Sequence, residues 1–153
     1  MTPQLTMTAD ELQACERAKP KKRKSPEHDM QVALFRWATA MRGQHPELYL
    51  LYAVPNGSSR TMYTAKNGKR FAPEGMRMRA EGMKAGVPDV CLPVPRRASG
   101  SLYIEMKAEK GATSEAQDEW ISRLRSAGNN VEICRSTDAA IKVIENYLKL
   151  PRY

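Results

Sequence analysis

The sequence predicts an α/β domain, and three observations carry that prediction. Four segments of strand length, 48–54, 87–94, 101–107 and 130–135, are rich in apolar residues. Helical stretches with their own start and stop signals alternate with them. The chain of 153 residues is the size of one compact unit that buries roughly 70% of the surface its unfolded form exposes.

Each element has a local reason. Residues 1–24 end in "KPKKRK", a polar, basic, proline-punctuated run with little to bury, and read as a mobile arm. The folded part begins at residue 25 and runs to 153. Ser25 is a suitable N-cap, Pro26 fits the first helical turn, Glu27 and Asp29 favour the positive end of the helix dipole, and Gly43 ends the helix. "LYLLYAV" (48–54) is a continuous apolar run closed by "PNG". In the basic stretch 60–72, Asn67-Gly68 signals a two-residue hairpin. "PEGMRMRAEGMKA" (73–85) reads as a helix closed by Gly86.

"VPDVCLPV" is a strand interrupted by prolines, and "PRRASG" is the turn into "SLYIEMK", where Leu102, Ile104 and Met106 alternate with Tyr103, Glu105 and Lys107. "TSEAQDEWISRLRSAG" is the clearest helix: Ser114 and Gln117 form a capping box, Trp120, Ile121 and Leu124 share a face, and Gly128 stops it. "NVEICR" is a fourth strand and "STDAAIKVIENYLKL" a final amphipathic helix.

Composition narrows the function. The net charge is +8, and all of the excess lies in two segments: residues 1–24 have a surplus of three basic residues and residues 60–84 a surplus of five. Such clustering suits contact with a polyanion, and a solvated, solubilising surface is the alternative. No apolar run approaches the ~18 residues that span a bilayer, and the amino terminus lacks the pattern of a secretory signal. Cys15, Cys91 and Cys134 are odd in number and far apart, which suits a reducing cytosol. With only His28 and His45 beside them, a zinc site is not expected.

The chemistry centres on "GVPDV" and "LYIEMK". Side chains two residues apart on a strand share a face, so Glu105 and Lys107 share an environment, either water or a site. Asp89 starts the preceding strand, and if the two strands pair it lies beside Glu105. Two carboxylates a few ångströms apart repel by about 4 kcal/mol at an effective dielectric near 20. A divalent cation offsets that cost. Mg²⁺ takes one or two carboxylates and fills the rest of its shell with water and phosphate oxygens. An ammonium such as Lys107 can orient a metal-bound water or help its deprotonation through its positive charge, and stabilise a charged transition state. Asp, Glu and Lys at this spacing would make a phosphodiesterase centre.

Pro88-Asp89, fifteen intervening residues, then Glu105-Met106-Lys107 resembles the PD-(D/E)xK signature of restriction-endonuclease-like nucleases. Together with "EHDMQ", "VPNG" and "SEAQDEWISRLRSAGNNVEICRS", the pattern resembles the VRR-NUC (virus-type replication-repair nuclease) family over roughly residues 26–148, in its short stand-alone phage and bacterial form. The resemblance implies a restriction-endonuclease-like α/β core with a central four-stranded mixed sheet flanked by helices.

It implies Asp89 and Glu105 as metal-binding carboxylates, the Met106 carbonyl as a further ligand and Lys107 as the catalytic lysine. Gln117 would sit beside the centre, and Glu27 would complete the metal shell or hold one of its waters. The alternative readings are Glu27 as a helix-terminal charge and Gln117 as a cap partner.

The expected activity is that of a DNA endonuclease using Mg²⁺ or Mn²⁺. Stand-alone members are implied to be homodimers that cut four-way (Holliday) junctions. Asn56, Arg60, Lys66, Lys69, Arg70, Arg77 and Lys84 are the candidate DNA-contacting residues, although Asn56-Gly57 could merely turn the chain. With only two Trp, six Tyr and two Phe, shape recognition is expected in place of base reading. Flap or restriction-type cleavage, a non-catalytic DNA-binding role on a nuclease fold, and an adaptor domain with a chance motif are the rival readings. The methionines of 76–83 and the last helix offer either a dimer surface or monomer core.

Overall fold

The computed structural model describes residues 25–55, 63–64, 68, 70–71, 73–97 and 99–152. The expected arm at 1–24 lies outside them. Helix α1, Pro26–Met41, carries Pro26 in its first turn and buries Leu34 and Ala38. Ser25 takes the extended N-cap conformation, yet its side chain makes no cap hydrogen bond. The Ser25 carbonyl instead accepts the Asp29 N–H at 3.1 Å.

The apolar run at 48–54 is not one strand. A 3₁₀ helix spans Pro46–Leu50, and only Tyr52–Ala53, β1, is extended. Pro46 presets the first turn, and the three-residue repeat turns Leu48 and Leu51 inward while Tyr49 stays 74% exposed. An apolar run cannot by itself distinguish these outcomes, because either geometry buries alternate members of it.

Strands β2, Tyr63–Thr64, and β3, Arg70–Phe71, form a separate antiparallel pair. Thr64 lies opposite Arg70, whereas a two-residue turn at Asn67-Gly68 would set it opposite Phe71. The hairpin therefore exists with a longer connection, in which Gly68 has φ 79°. Helix α2 is Pro73–Ala80, shorter than the expected 73–85. Gly82 at φ 102° takes the chain out of helical geometry before Gly86 is reached.

The main sheet adds β4, Val90–Leu92, β5, Leu102–Met106, and β6, Asn130–Cys134, in the order β1-β4-β5-β6. The first two pairings are antiparallel and β5–β6 is parallel, so the sheet is four-stranded and mixed, as expected. Pro88 and Pro93 bracket β4 and hold it to three residues, all buried. Helix α3, Glu115–Ser126, crosses between the parallel strands, and α4, Thr137–Lys149, closes the fold.

The core unites Leu34 and Ala38 of α1 with Val90, Leu92, Leu102, Ile104 and Met106 of the sheet. From α4 it takes Ala140, Ile144 and Tyr147, so the inner face of the last helix is monomer core and is not a free dimer surface. At the far end Arg96, 4% exposed, pairs with Glu47 at 2.7 Å, and the Tyr147 hydroxyl donates to the Val94 carbonyl. These bonds tie the segment after β4 to the 3₁₀ helix and to the final helix. They leave the opposite end of β4 and β5 as the place where polar groups collect.

Candidate active site

The strand register brings the two carboxylates together. Val90 pairs with Ile104, and one step further along the antiparallel strands Asp89 comes opposite Glu105. Asp89 Oδ2 accepts the Met106 main-chain N–H at 2.9 Å, which turns this side chain across to β5. Glu105 and Lys107 leave β5 on one face, with Lys107 Nζ 3.1 Å from Glu105 Oε1. That face does not look at water: Glu105 is 1% exposed.

Gln117 ties the cluster to α3. Its Oε1 accepts from Lys107 Nζ at 2.9 Å, and its Nε2 donates to Glu105 Oε1. The same Oε1 accepts the Ser114 N–H at 2.9 Å, and Ser114 Oγ accepts the Gln117 N–H. The capping box and the contact with the site are thus one arrangement, not alternatives. Glu27 arrives from the first turn of α1, its Oε1 accepting the Ala108 N–H at 3.2 Å.

Glu27, Asp89, Glu105, Met106, Lys107 and Gln117 line one cavity of about 250 Å³. Sequence reasoning missed three further residues of its wall, Ser25, His28 and Gln31. Their signal was present, since positions 27, 28 and 31 fall on one helical face. Of the expected DNA-contacting residues, Arg77 and Lys84 are exposed, Arg77 paired with Glu81 at 2.8 Å and Lys84 on the wall of a neighbouring cavity with Trp120. Only the backbone of Arg70 is described, and Asn56, Arg60, Lys66 and Lys69 lie outside the described residues.

Electrostatics set Glu105 apart. Burial first, and the Asp89 carboxylate second, push it up to about 7 from 4.5; Lys107 opposes the rise and Glu27 adds a smaller push. Its Oε2 is buried without a hydrogen-bond partner. A buried oxygen left so costs about 1–3 kcal/mol, a deficit that a cation beside it would remove.

Among the described residues no three His, Cys, Asp or Glu side chains are gathered as a metal cage. Asp89 and Glu27 each give one oxygen to a main-chain N–H. Mg²⁺ needs only one or two carboxylates, and Asp89 with the unsatisfied Glu105 oxygen fits that requirement.

Gly86 positions the cluster from behind. It has φ +89°, and a Cβ there would stand 2.5 Å from the Ala116 carbonyl oxygen and 3.0 Å from the Gln117 nitrogen. Gly86→Ala is expected to destabilise the fold by about 2–4 kcal/mol, combining left-handed strain with overpacking. It should also weaken cleavage by displacing the turn that carries Gln117. Urea unfolding checks the first effect, and an unchanged midpoint would show that the contact is soft.

Among the described residues no helix is long and apolar enough to cross a membrane. A search of curated proteins returns no match. A solved structure named "VRR_NUC domain protein" superposes with a TM-score of 0.65 at 24% identity, covering 84% of this chain and 93% of that one. That likeness bears on the fold. The family model of the VRR-NUC domain matches residues 26–138, from the first residue of α1 into the start of α4. The chain therefore belongs to the VRR-NUC family, which implies a nuclease of the PD-(D/E)xK type.

Proposed function

We propose that the protein is a metal-dependent, structure-selective DNA endonuclease that cuts four-way junctions as a homodimer. The observation that carries this reading is the unsatisfied Glu105 oxygen, buried beside Asp89 and Lys107 in a polar cavity.

Asp89 and Glu105, with the Met106 carbonyl and Glu27 in support, would hold Mg²⁺ or Mn²⁺. When bound, such a cation lowers the pKa of water and neutralises charge on the phosphate. The cation would compete with a proton for Glu105, whose pKa is raised to about 7. Lys107, steadied by Gln117 and Glu105, orients the attacking water or bonds a phosphate oxygen as charge builds. Gln117 holds both partners and keeps the ammonium from folding back onto solvent. Glu27, braced on the Ala108 N–H, would complete the metal shell or hold one of its waters.

The charge surplus of five over residues 60–84 supports DNA as the polyanion. A homodimer matches the symmetry of its substrate, because resolving a two-fold junction takes two related nicks.

Incubating the protein with labelled four-way junction, flap and plain duplex, with and without Mg²⁺ or Mn²⁺, tests the reading. Metal-dependent cleavage of the junction ahead of the others is expected. Equal cutting of all three removes structure selectivity, and no metal-dependent cutting of any removes the nuclease. If the surplus charges neutralise five phosphates, log affinity should fall against log salt with a slope of about −4.5. A slope near zero would sink the electrostatic part.

A further inference from the structure

We propose that the groove beside the catalytic cavity receives one nucleotide splayed out of the DNA stack next to the scissile phosphate. This rests on the nuclease reading above and adds a binding subsite to it. The groove has a volume of about 610 Å³ and runs along α1 to the exposed Ala53 of β1. It adjoins the catalytic cavity, with His28 and Gln31 lining both. Substrate that places its phosphate against Glu105 and Lys107 therefore has its next group at the groove mouth.

The lining selects a base over a phosphate. Val32, Phe35 and Ala53 supply apolar wall, which would leave a charged phosphate desolvated and unpaired. A nucleobase has an apolar π-face, and Phe35, His28 and Arg36 offer planar partners for stacking. Polar groups join the lining as well. The Gln31 amide can donate and accept, and the Thr39 hydroxyl, which donates to the Phe35 carbonyl at 2.9 Å, keeps its lone pairs for an incoming N–H.

Positions 28, 31, 32, 35 and 39 recur at helical spacing, so this is one continuous face of α1. Charge agrees as well: the lining includes Arg36 and no carboxylate. The volume is that of a small-molecule site and too small for a duplex.

Such a subsite would generate structure selectivity without base reading. Unstacking a nucleotide is cheapest where DNA is already branched, and costs a few kcal/mol in an intact duplex. Stacking in the groove rewards any base, since all four have a π-face.

The test uses the full-length protein and four-way junctions with 2-aminopurine placed at successive positions around the cut site. Binding is followed in metal-free buffer. A several-fold rise in fluorescence is expected at one position adjoining the scissile phosphate, and at no position in a plain duplex. Thr39→Trp and Ala53→Trp fill the groove from exposed positions without removing core contacts. Each should abolish that rise and weaken junction binding about tenfold, with the melting temperature unchanged.

Fluorescence that stays quenched at every position in the wild type overturns the proposal, whatever the variants do. If that wild type still cuts junctions with Mg²⁺, only the subsite falls; if it neither binds nor cuts DNA, the nuclease reading falls with it. Groove-filled variants that retain the rise and the affinity also overturn it. A dimer that becomes monomeric on filling, with the rise intact, assigns the groove to a second copy instead.

Discussion

Glu105→Gln is expected to lower metal-dependent cleavage about a thousandfold while making the metal-free protein more stable above pH 7. The first effect follows from losing a charged metal ligand, because several kcal/mol of transition-state stabilisation correspond to a factor of this size. The second follows from linkage. The folded state raises Glu105 to about 7 from 4.5, so between these values the folded protein holds a proton that the unfolded chain has released. Stability from this group is complete below pH 4.5 and is lost as pH rises through 7.

Integrated over that window, the effect is roughly 3 kcal/mol. The glutamine never ionises, and its amide replaces repulsion from Asp89 with attraction. A rise in melting temperature of about 5–10 °C at pH 8 is the expected readout, with no rise at pH 4. In the wild type, metal affinity should climb about tenfold per pH unit up to pH 7 and level off above, since the ion competes with the Glu105 proton. If Glu105→Gln is destabilised at pH 8, or metal affinity is flat from pH 5 to 8, the strained-carboxylate account is wrong.

Lys107→Ala should reduce the maximal rate by about 10²–10⁴-fold, with junction affinity nearly unchanged. It removes the ammonium from Glu105 Oε1 and from Gln117 Oε1, while the Ser114 N–H still holds the glutamine. Lys107 is the group that pulls Glu105 down, so its loss pushes the carboxyl further above 7. The pH at which metal affinity levels off should move upward with it. Lys107→Arg should recover little activity, because a planar guanidinium does not fit between oxygens arranged around one nitrogen. Unchanged metal-dependent cleavage by Lys107→Ala would reject the assignment of this side chain. Unchanged pH dependence would separate it from Glu105.

Periodicity and punctuation made much of this protein legible before any coordinates. The alternation in 101–107, the capping box of Ser114 and Gln117 and the glycine after α3 all encode local geometry, and local geometry is what short-range signals report. The reading failed where two geometries satisfy the same pattern. "LYLLYAV" is as apolar as a strand requires, yet the 3₁₀ turn that Pro46 favours buries Leu48 and Leu51 and leaves Leu50 exposed. Asn67-Gly68 marks a turn, yet the pairing of Thr64 with Arg70 excludes the two-residue kind. Gly82 stopped α2 four residues before the expected Gly86 because a left-handed residue breaks the helix wherever it first occurs.

By itself the sequence determined which residue types were available: Asp89, Glu105, Lys107 and Gln117 at spacings that strands and a capped helix can bring together. Only the tertiary structure decided what Glu105 experiences, since its burial and the approach of Asp89 depend on residues distant along the chain. It also decided that His28 and Gln31 line both the polar cavity around Glu105 and an apolar groove. Side-chain chemistry is written one residue at a time, but desolvation and cavity shape belong to the packed whole.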